Sequence, residues 1–272
     1  MLRALVLGAV QGLTEFIPVS SSGHLILVPY VLGWGDNLGT DVAFQVAIHL
    51  GTLVALVAYF RRELWAIVRG VIRTAAGRAD RDDRAATRLM AMLAVGTIPA
   101  VLVGLTLKEP LERTFEDIPW NGVFLASNAV LLVVADILYR RRPKDRREVD
   151  EVRWTDALLI GSFQAFAILP AISRSGSTIF AGVVGGLSRE AAGRFSFLLA
   201  IPAIFGAAVL LLPDLAAGTP ITWVVGAAVV AAATSLAAIA FLLRYLRSRP
   251  LVPFAVYCVL GGALVLAIWA IR

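Results

Sequence analysis

Two clusters of polar residues interrupt an otherwise apolar chain of 272 residues, and their side-chain types suit phosphate chemistry. In the first, Gln11 and Glu15 stand four residues apart, on one face of a helix, ahead of Pro18 and the run Ser20-Ser21-Ser22-Gly23-His24. In the second, Arg174 lies among hydroxyls in Ser173-Arg174-Ser175-Gly176-Ser177-Thr178. Successive N–H groups and hydroxyls at a helix start form an anion site, because the first-turn donors have no intrahelical partner and the dipole adds positive potential. The planar fork of arginine matches two phosphate oxygens and never loses its charge. A carboxylate inside a membrane segment costs on the order of 3 kcal/mol, so Glu15 requires a partner. A bridge to Arg174 would lock the two segments together. It would also serve catalysis if it is closed when empty and opened by substrate. Ordinary N-capping explains one serine of the first run but not three beside a histidine. His24 alone is also consistent with a packing histidine.

The elements that must carry these clusters follow from composition. The chain is 59% hydrophobic and 16% charged, with a mean hydropathy of +0.81, more apolar than one soluble core requires. Apolar runs at about 41–60, 86–107, 118–139, 190–212, 221–243 and 251–270 predict six transmembrane helices. Residues 1–34 and 154–187 differ, each being a pair of short apolar segments broken by Pro, Ser and Gly. Each half is too short to span, so both are expected to be re-entrant hairpins. The fold expected is an all-α integral membrane protein forming a single polytopic domain over 1–272. The net charge of +6 does not signal nucleic acid, because the basic residues sit in loops beside apolar runs. A single cysteine, Cys258, excludes an intrachain disulfide and a multi-cysteine metal site. The N-terminus imitates a signal peptide, but Glu15 and Pro18 interrupt it, and it is expected to remain in the mature protein.

Loop charge sets the orientation. Arg61, Arg62, Arg69, Arg73, Arg78, Arg81, Arg84 and Arg88 crowd one loop, and Arg140, Arg141, Arg142, Lys144, Arg146, Arg147 and Arg153 another, so both are expected in the cytoplasm. The segment with Glu109, Glu112, Glu116 and Asp117, and the turn near Asp214, are expected outside. Arg244, Arg247 and Arg249 return inside. The first broken segment then enters from outside and the second from the cytoplasm. They are also alike in sequence: Gly8 to Gln11 and Pro18 to Gly23 resemble Gly161 to Gln164 and Pro170 to Gly176, at an offset of about 153 residues. Similar segments entering from opposite faces are the mark of an inverted-topology repeat whose tips meet near the midplane. Gln45 and His49 share one face of the first full span and could support the site, and Asp136 is expected to pair with Arg140 one turn on.

QGLTEFIPVSSSGH at 11–24 and LPAISRSGST at 169–178 resemble the two signature motifs of the undecaprenyl-diphosphate phosphatase family, also called the bacitracin-resistance family. The likeness extends over essentially the whole chain. It implies hydrolysis of the C55 polyprenyl diphosphate to the monophosphate plus inorganic phosphate, recycling the lipid carrier of cell-wall glycans. It implies a location in the bacterial cytoplasmic membrane with the active site towards the outer face. By resemblance, Glu15 matches the essential acid, Ser21 and His24 the candidate catalytic pair, and Ser173, Arg174 and Thr178 the phosphate-binding run. Ser20, Ser22, Gly23, Ser175, Gly176 and Ser177 complete the expected phosphate cradle. A divalent cation, Mg2+ or Ca2+, is expected with Glu15 and Gln11 as candidate ligands. Two positions depart from the family: Ala171 replaces the usual glycine, and Gln11 removes one carboxylate, which puts a two-carboxylate metal mechanism in doubt. Three nucleophiles fit the residue types: Ser21 activated by His24, His24 itself, or a water oriented by Glu15 and the metal, with Ser21 favoured. The partners expected are undecaprenyl diphosphate and membrane lipid, with a homodimer compatible. The rival function is a transporter or flippase of an anionic lipid headgroup, since broken helices in inverted repeats also build transporters.

Overall fold

In a chain this apolar, backbone N–H and C=O groups must be paired within each segment wherever water is absent, which leaves helix as the accessible state. The computed structural model describes residues 1–35, 38–39, 41–106, 117–141, 146–169, 171–211 and 220–271. Glu109, Glu112, Glu116, Arg142, Lys144, Pro170 and Asp214 lie outside the described residues, so the expectations placed on them are not addressed. The described residues are mainly helical: α1 (Leu2–Thr14), α2 (Ser21–Val31), α3 (Val42–Tyr59), α4 (Arg61–Ala75), α5 (Arg81–Thr106), α6 (Ile118–Arg141), α7 (Trp154–Phe166), α8 (Arg174–Val184), α9 (Arg189–Leu211), α10 (Ile221–Leu246) and α11 (Val252–Ile271). Among them there is one isolated bridge, Arg147 to Leu187, and no named strand.

Six of these helices, α3, α5, α6, α9, α10 and α11, are long and apolar enough to cross a membrane, and they coincide with the six apolar runs. Val54, Ile98, Val130, Phe205, Val229 and Leu260 stand exposed along them. Apolar surface on that scale is a liability in water and an ordinary lipid-facing wall in a bilayer, so this is a multi-pass membrane protein.

The four helices around the broken segments are short. α1 and α7 have 13 residues each, α2 and α8 have 11 each. At about 1.5 Å per residue they reach roughly 16–20 Å, well under a ~30 Å hydrocarbon core. Each first arm is pressed onto a long helix of the other half of the chain. A Cβ on Gly8 of α1 would overlap the carbonyl oxygen of Ala227 on α10, and one on Gly161 of α7 would overlap the carbonyl oxygen of Gly96 on α5. These two glycines permit backbone-to-backbone approach that a side chain would block.

α4 was not legible in the sequence, where 61–88 reads as a basic loop. It is amphipathic: Ile67 and Gly70 are buried while Trp65, Val68 and Ile72 are exposed. Arg69 and Arg73 grip the buried carboxylate of Asp83 at the start of α5, at 3.2 and 2.7 Å, and Glu63 accepts from Arg194 of α9 at 2.5 Å.

Candidate active site

The loops after α1 and before α8 bring the two polar clusters into contact. Ser20 caps α2, its hydroxyl accepting from the Gly23 N–H at 3.3 Å, and Ser173 caps α8, accepting from the Gly176 N–H at 3.1 Å. The hydroxyls of Ser20 and Ser22 lie 3.4 Å apart, those of Ser173 and Ser175 3.2 Å apart. The tips interlock: a Cβ on Gly23 would sit 3.0 Å from the Ala171 methyl, one on Gly176 3.5 Å from Pro18. The Ser175 hydroxyl donates across to the Ile17 carbonyl at 3.3 Å. Ser175, Ser177 and Thr178 are buried.

Glu15 is the hub. Its Oε1 accepts from Nη2 of Arg174 at 2.8 Å, and its Oε2 accepts from the Ser21 hydroxyl at 2.5 Å and the Gln11 amide at 3.0 Å. His49 Nε2 approaches the same carboxylate at 3.8 Å. Glu15 is 6% exposed, and a carboxylate so enclosed needs every one of these donors. Around this carboxylate, Nη1 of Arg174 and Oε1 of Gln11 are left without a partner. A buried guanidinium N–H without an acceptor beside two serine turns is a place for an anion's oxygen. Gln11 Oε1 adjoins Glu15 as a bare oxygen donor, and the pair suits a hard cation that takes its remaining ligands from phosphate and water. Among the described residues, no group of three or more His, Cys, Asp or Glu forms a self-sufficient metal cage.

The His24 ring faces Tyr257 and the Ser20 carbonyl. Its Nδ1 donates to the Ser20 carbonyl at 2.6 Å, and its Nε2 shares a hydrogen bond with the Tyr257 hydroxyl, also at 2.6 Å. The two rings stack with centroids 5.6 Å apart. The Ser21 hydroxyl therefore has Glu15 as its partner and not His24. Thr178 also points away: its hydroxyl bonds the Arg174 carbonyl and Ser196 of α9, and the Ser177 hydroxyl is buried without a partner. Asp136 does not pair with Arg140 as expected. Its oxygens accept from Arg189 at 2.6 Å and from the backbone N–H groups of Leu251 and Val252.

Two contributors escaped sequence reasoning. Tyr257 gave no signal and Asn128 only the weak one of an amide inside an apolar span, whereas His49, a candidate for support, lies 3.8 Å from the Glu15 carboxylate. Asn128 is buried near the middle of α6, donating to the Ala171 carbonyl at 2.8 Å and accepting from the Ser173 N–H at 2.7 Å. It thereby fixes the turn that presents Arg174. Asn128→Leu strands two buried backbone groups, each worth about 1–3 kcal/mol. It should lower both the thermal unfolding midpoint in detergent and the turnover; retention of both would show that the clamp is dispensable.

Ala171 has φ +55°, the left-handed region that favours glycine, which accounts for the family preference at this position. Relief of strain in Ala171→Gly, about 1–2 kcal/mol, is offset by glycine's entropy and a lost methyl. That variant should be near-neutral in thermal unfolding. Ala171→Val, β-branched and pressed against Gly23, should unfold many degrees lower.

Comparison with known proteins finds relatives over nearly the whole chain. The family described as bacitracin resistance protein BacA matches residues 4–264. A protein of Acidiphilium cryptum named undecaprenyl-diphosphatase is 41% identical over 274 residues, covering 97% of this chain and 96% of its own. A protein of the same name from Geobacter metallireducens is 41% identical over 273 residues, covering 97% of each. Another from Nocardioides sp. is 40% identical over 272 residues, covering 99% of this chain and 96% of its own.

Proposed function

The chain belongs to the bacitracin resistance protein BacA family, and on that premise we propose that it is an undecaprenyl-diphosphate phosphatase whose active site is the Glu15, Ser21 and Arg174 cluster. The name shared by the three relatives is that of a hydrolase, which leaves the transporter reading without support. One observation carries the assignment of residues: Glu15 holds the Ser21 hydroxyl and Arg174 at once, while Arg174 keeps a second, unpartnered N–H. A general base, a nucleophile and a phosphate clamp are thus assembled within one set of hydrogen bonds.

The terminal phosphoryl group binds with its oxygens on the free Nη1 of Arg174 and on the first-turn donors of α2 and α8. Substrate oxygens draw Arg174 from Glu15, which frees the carboxylate to take the Ser21 proton as Oγ attacks phosphorus. The bond from phosphorus to the bridging oxygen breaks, and undecaprenyl monophosphate leaves as a stable anion that needs no added proton. Glu15 sheds that proton to solvent and, ionised again, takes one from a water that attacks phosphorus. The bond from phosphorus to Ser21 Oγ breaks, Oγ recovers a proton from Glu15, and inorganic phosphate leaves. A divalent cation fits Glu15 and Gln11 Oε1 and would neutralise part of the diphosphate charge. His24, held by Tyr257, positions the Ser20 carbonyl and hence the cap of α2.

Re-entrant hairpins and an inverted repeat belong to the same proposal. Supporting them are the paired helix lengths, the reciprocal contacts of Gly8 and Gly161, and the matched caps at Ser20 and Ser173. Asn128 and His49, near the middles of α6 and α3, touch the cluster and support a position at mid-depth. The loop charges favour access from the outer face. The test is phosphate release from undecaprenyl diphosphate by detergent-purified protein, with and without a divalent chelator. Release that chelation abolishes and Mg2+ or Ca2+ restores is expected; binding of the lipid without any release would overturn the proposal.

A further inference from the structure

The arginine-rich end of the bundle contains a basic cavity, about eleven residues or roughly 16 Å further along α6 than Asn128. The last turn of α6, the first turn of α9 and the segment joining α10 to α11 converge there. The cavity has a volume of about 360 Å³ and is lined by Tyr139, Arg140, Arg189, Ser248 and Pro250. Arg189 is only 8% exposed, and its guanidinium lies 3.8 Å over the Tyr139 ring. One of its nitrogens donates to Asp136 at 2.6 Å, but its Nε–H is buried without an acceptor. Asp136 has little left to offer, since its second oxygen already accepts from the N–H groups of Leu251 and Val252. Arg189 also opens α9, whose first turn is capped by the Ser188 hydroxyl accepting from Ala191 N–H at 3.0 Å. Exposed Arg140 adds a further positive charge on the cavity wall.

A cavity with two arginines, a serine hydroxyl, a tyrosine and a buried donor lacking its acceptor is made for a compact anion, and phosphate oxygens suit the guanidinium geometry. The wall beside it favours an amphiphile over a free ion. Val130, Val133 and Ile137, at 63, 37 and 46% exposure, form one apolar row along α6 that ends at Arg140. A chain lying on that row would bring a headgroup phosphate to the cavity, the usual placement of basic pockets between helix ends at a membrane surface.

We propose that this cavity binds the phosphate group of an anionic lipid whose acyl chains lie along Val130, Val133 and Ile137, at a site separate from the Glu15 cluster. The test titrates the detergent-purified full chain with dioctanoylphosphatidylglycerol, dioctanoylphosphatidylcholine or inorganic phosphate and reads the thermal unfolding midpoint. Wild type, an Arg140→Gln/Ser248→Ala double variant and Arg174→Gln are compared; Arg140 and Ser248 are exposed, so the double variant should fold. Phosphatidylglycerol is expected to raise the midpoint saturably in wild type and in Arg174→Gln, with half-saturation about ten-fold higher in the double variant. Phosphatidylcholine and inorganic phosphate should give little shift at the same concentrations. An equal response in the double variant, or its loss in Arg174→Gln, would overturn the proposal. A shift by inorganic phosphate that needs Arg140 would replace the lipid with free phosphate as the ligand, and an equal shift by phosphatidylcholine would show that the apolar row alone binds.

Discussion

Arg174→Lys, which keeps the charge and changes only its shape, is expected to reduce kcat/KM for phosphate release by about 10³-fold. The reason lies in how Arg174 is held. One nitrogen is engaged with Glu15 and another is buried without an acceptor, so a single planar group can hold the carboxylate and meet the substrate. A lysine ammonium in the same place can satisfy Glu15 as a point charge, but it has no second arm in a fixed direction. The protein should therefore fold, because the ion pair survives, and yet fail to present a donor to the phosphoryl oxygens. Thermal unfolding close to wild type with turnover lost is the expected pattern. If Arg174 served only to lock the two tips together, Arg174→Lys would retain most of its activity.

Glu15→Gln should separate catalysis from locking in a second way. Glutamine has nearly the same volume, and its carbonyl can still accept from Arg174 or from the Ser21 hydroxyl. It cannot take a proton from Ser21. Loss of a positioned general base typically costs about 10²–10⁴-fold, and kcat should fall by that amount with KM for undecaprenyl diphosphate little changed. A Glu15 that is purely structural would give the opposite result: a lower unfolding midpoint, from a buried Arg174 left without a counter-charge, and near-normal kcat per folded molecule. Because Glu15 and Arg174 touch, the double variant should cost far less than the product of the two single effects.

What the sequence disclosed and what it withheld follow from the range of the interactions. The six spans were legible because a hydrocarbon core demands about 20 apolar residues at a stretch, a signal that local composition carries by itself. The meeting of Glu15 with Arg174, 159 residues apart, was legible because two isolated charges in apolar surroundings have few other partners. The partner of His24 was not. Its spacing of three from Ser21 suggests neighbours on a helix, yet the ring turns back to the Ser20 carbonyl and reaches a tyrosine 233 residues away. Nothing local marks Tyr257 among the residues of a lipid-facing helix. The partners of the Thr178 hydroxyl were hidden for a related reason, since threonine in a helix readily bonds the carbonyl four residues back. Asn128 and α4 were hidden differently, one by being a lone amide in a long span and the other by arginines that mask an amphipathic period. The substitution at Ala171 reads as a departure in sequence, whereas its backbone keeps the left-handed geometry at which glycine is unstrained.

The most direct test of the central claim, that the joined tips are the phosphatase site, is the rate of inorganic phosphate release from undecaprenyl diphosphate by Ser21→Ala and Arg174→Ala beside wild type. All three should first be shown to unfold cooperatively at similar temperatures. Steady release by wild type and background release by both variants is the result expected. Release by either folded variant within about ten-fold of wild type, a difference of only about 1.4 kcal/mol in the barrier, would contradict it.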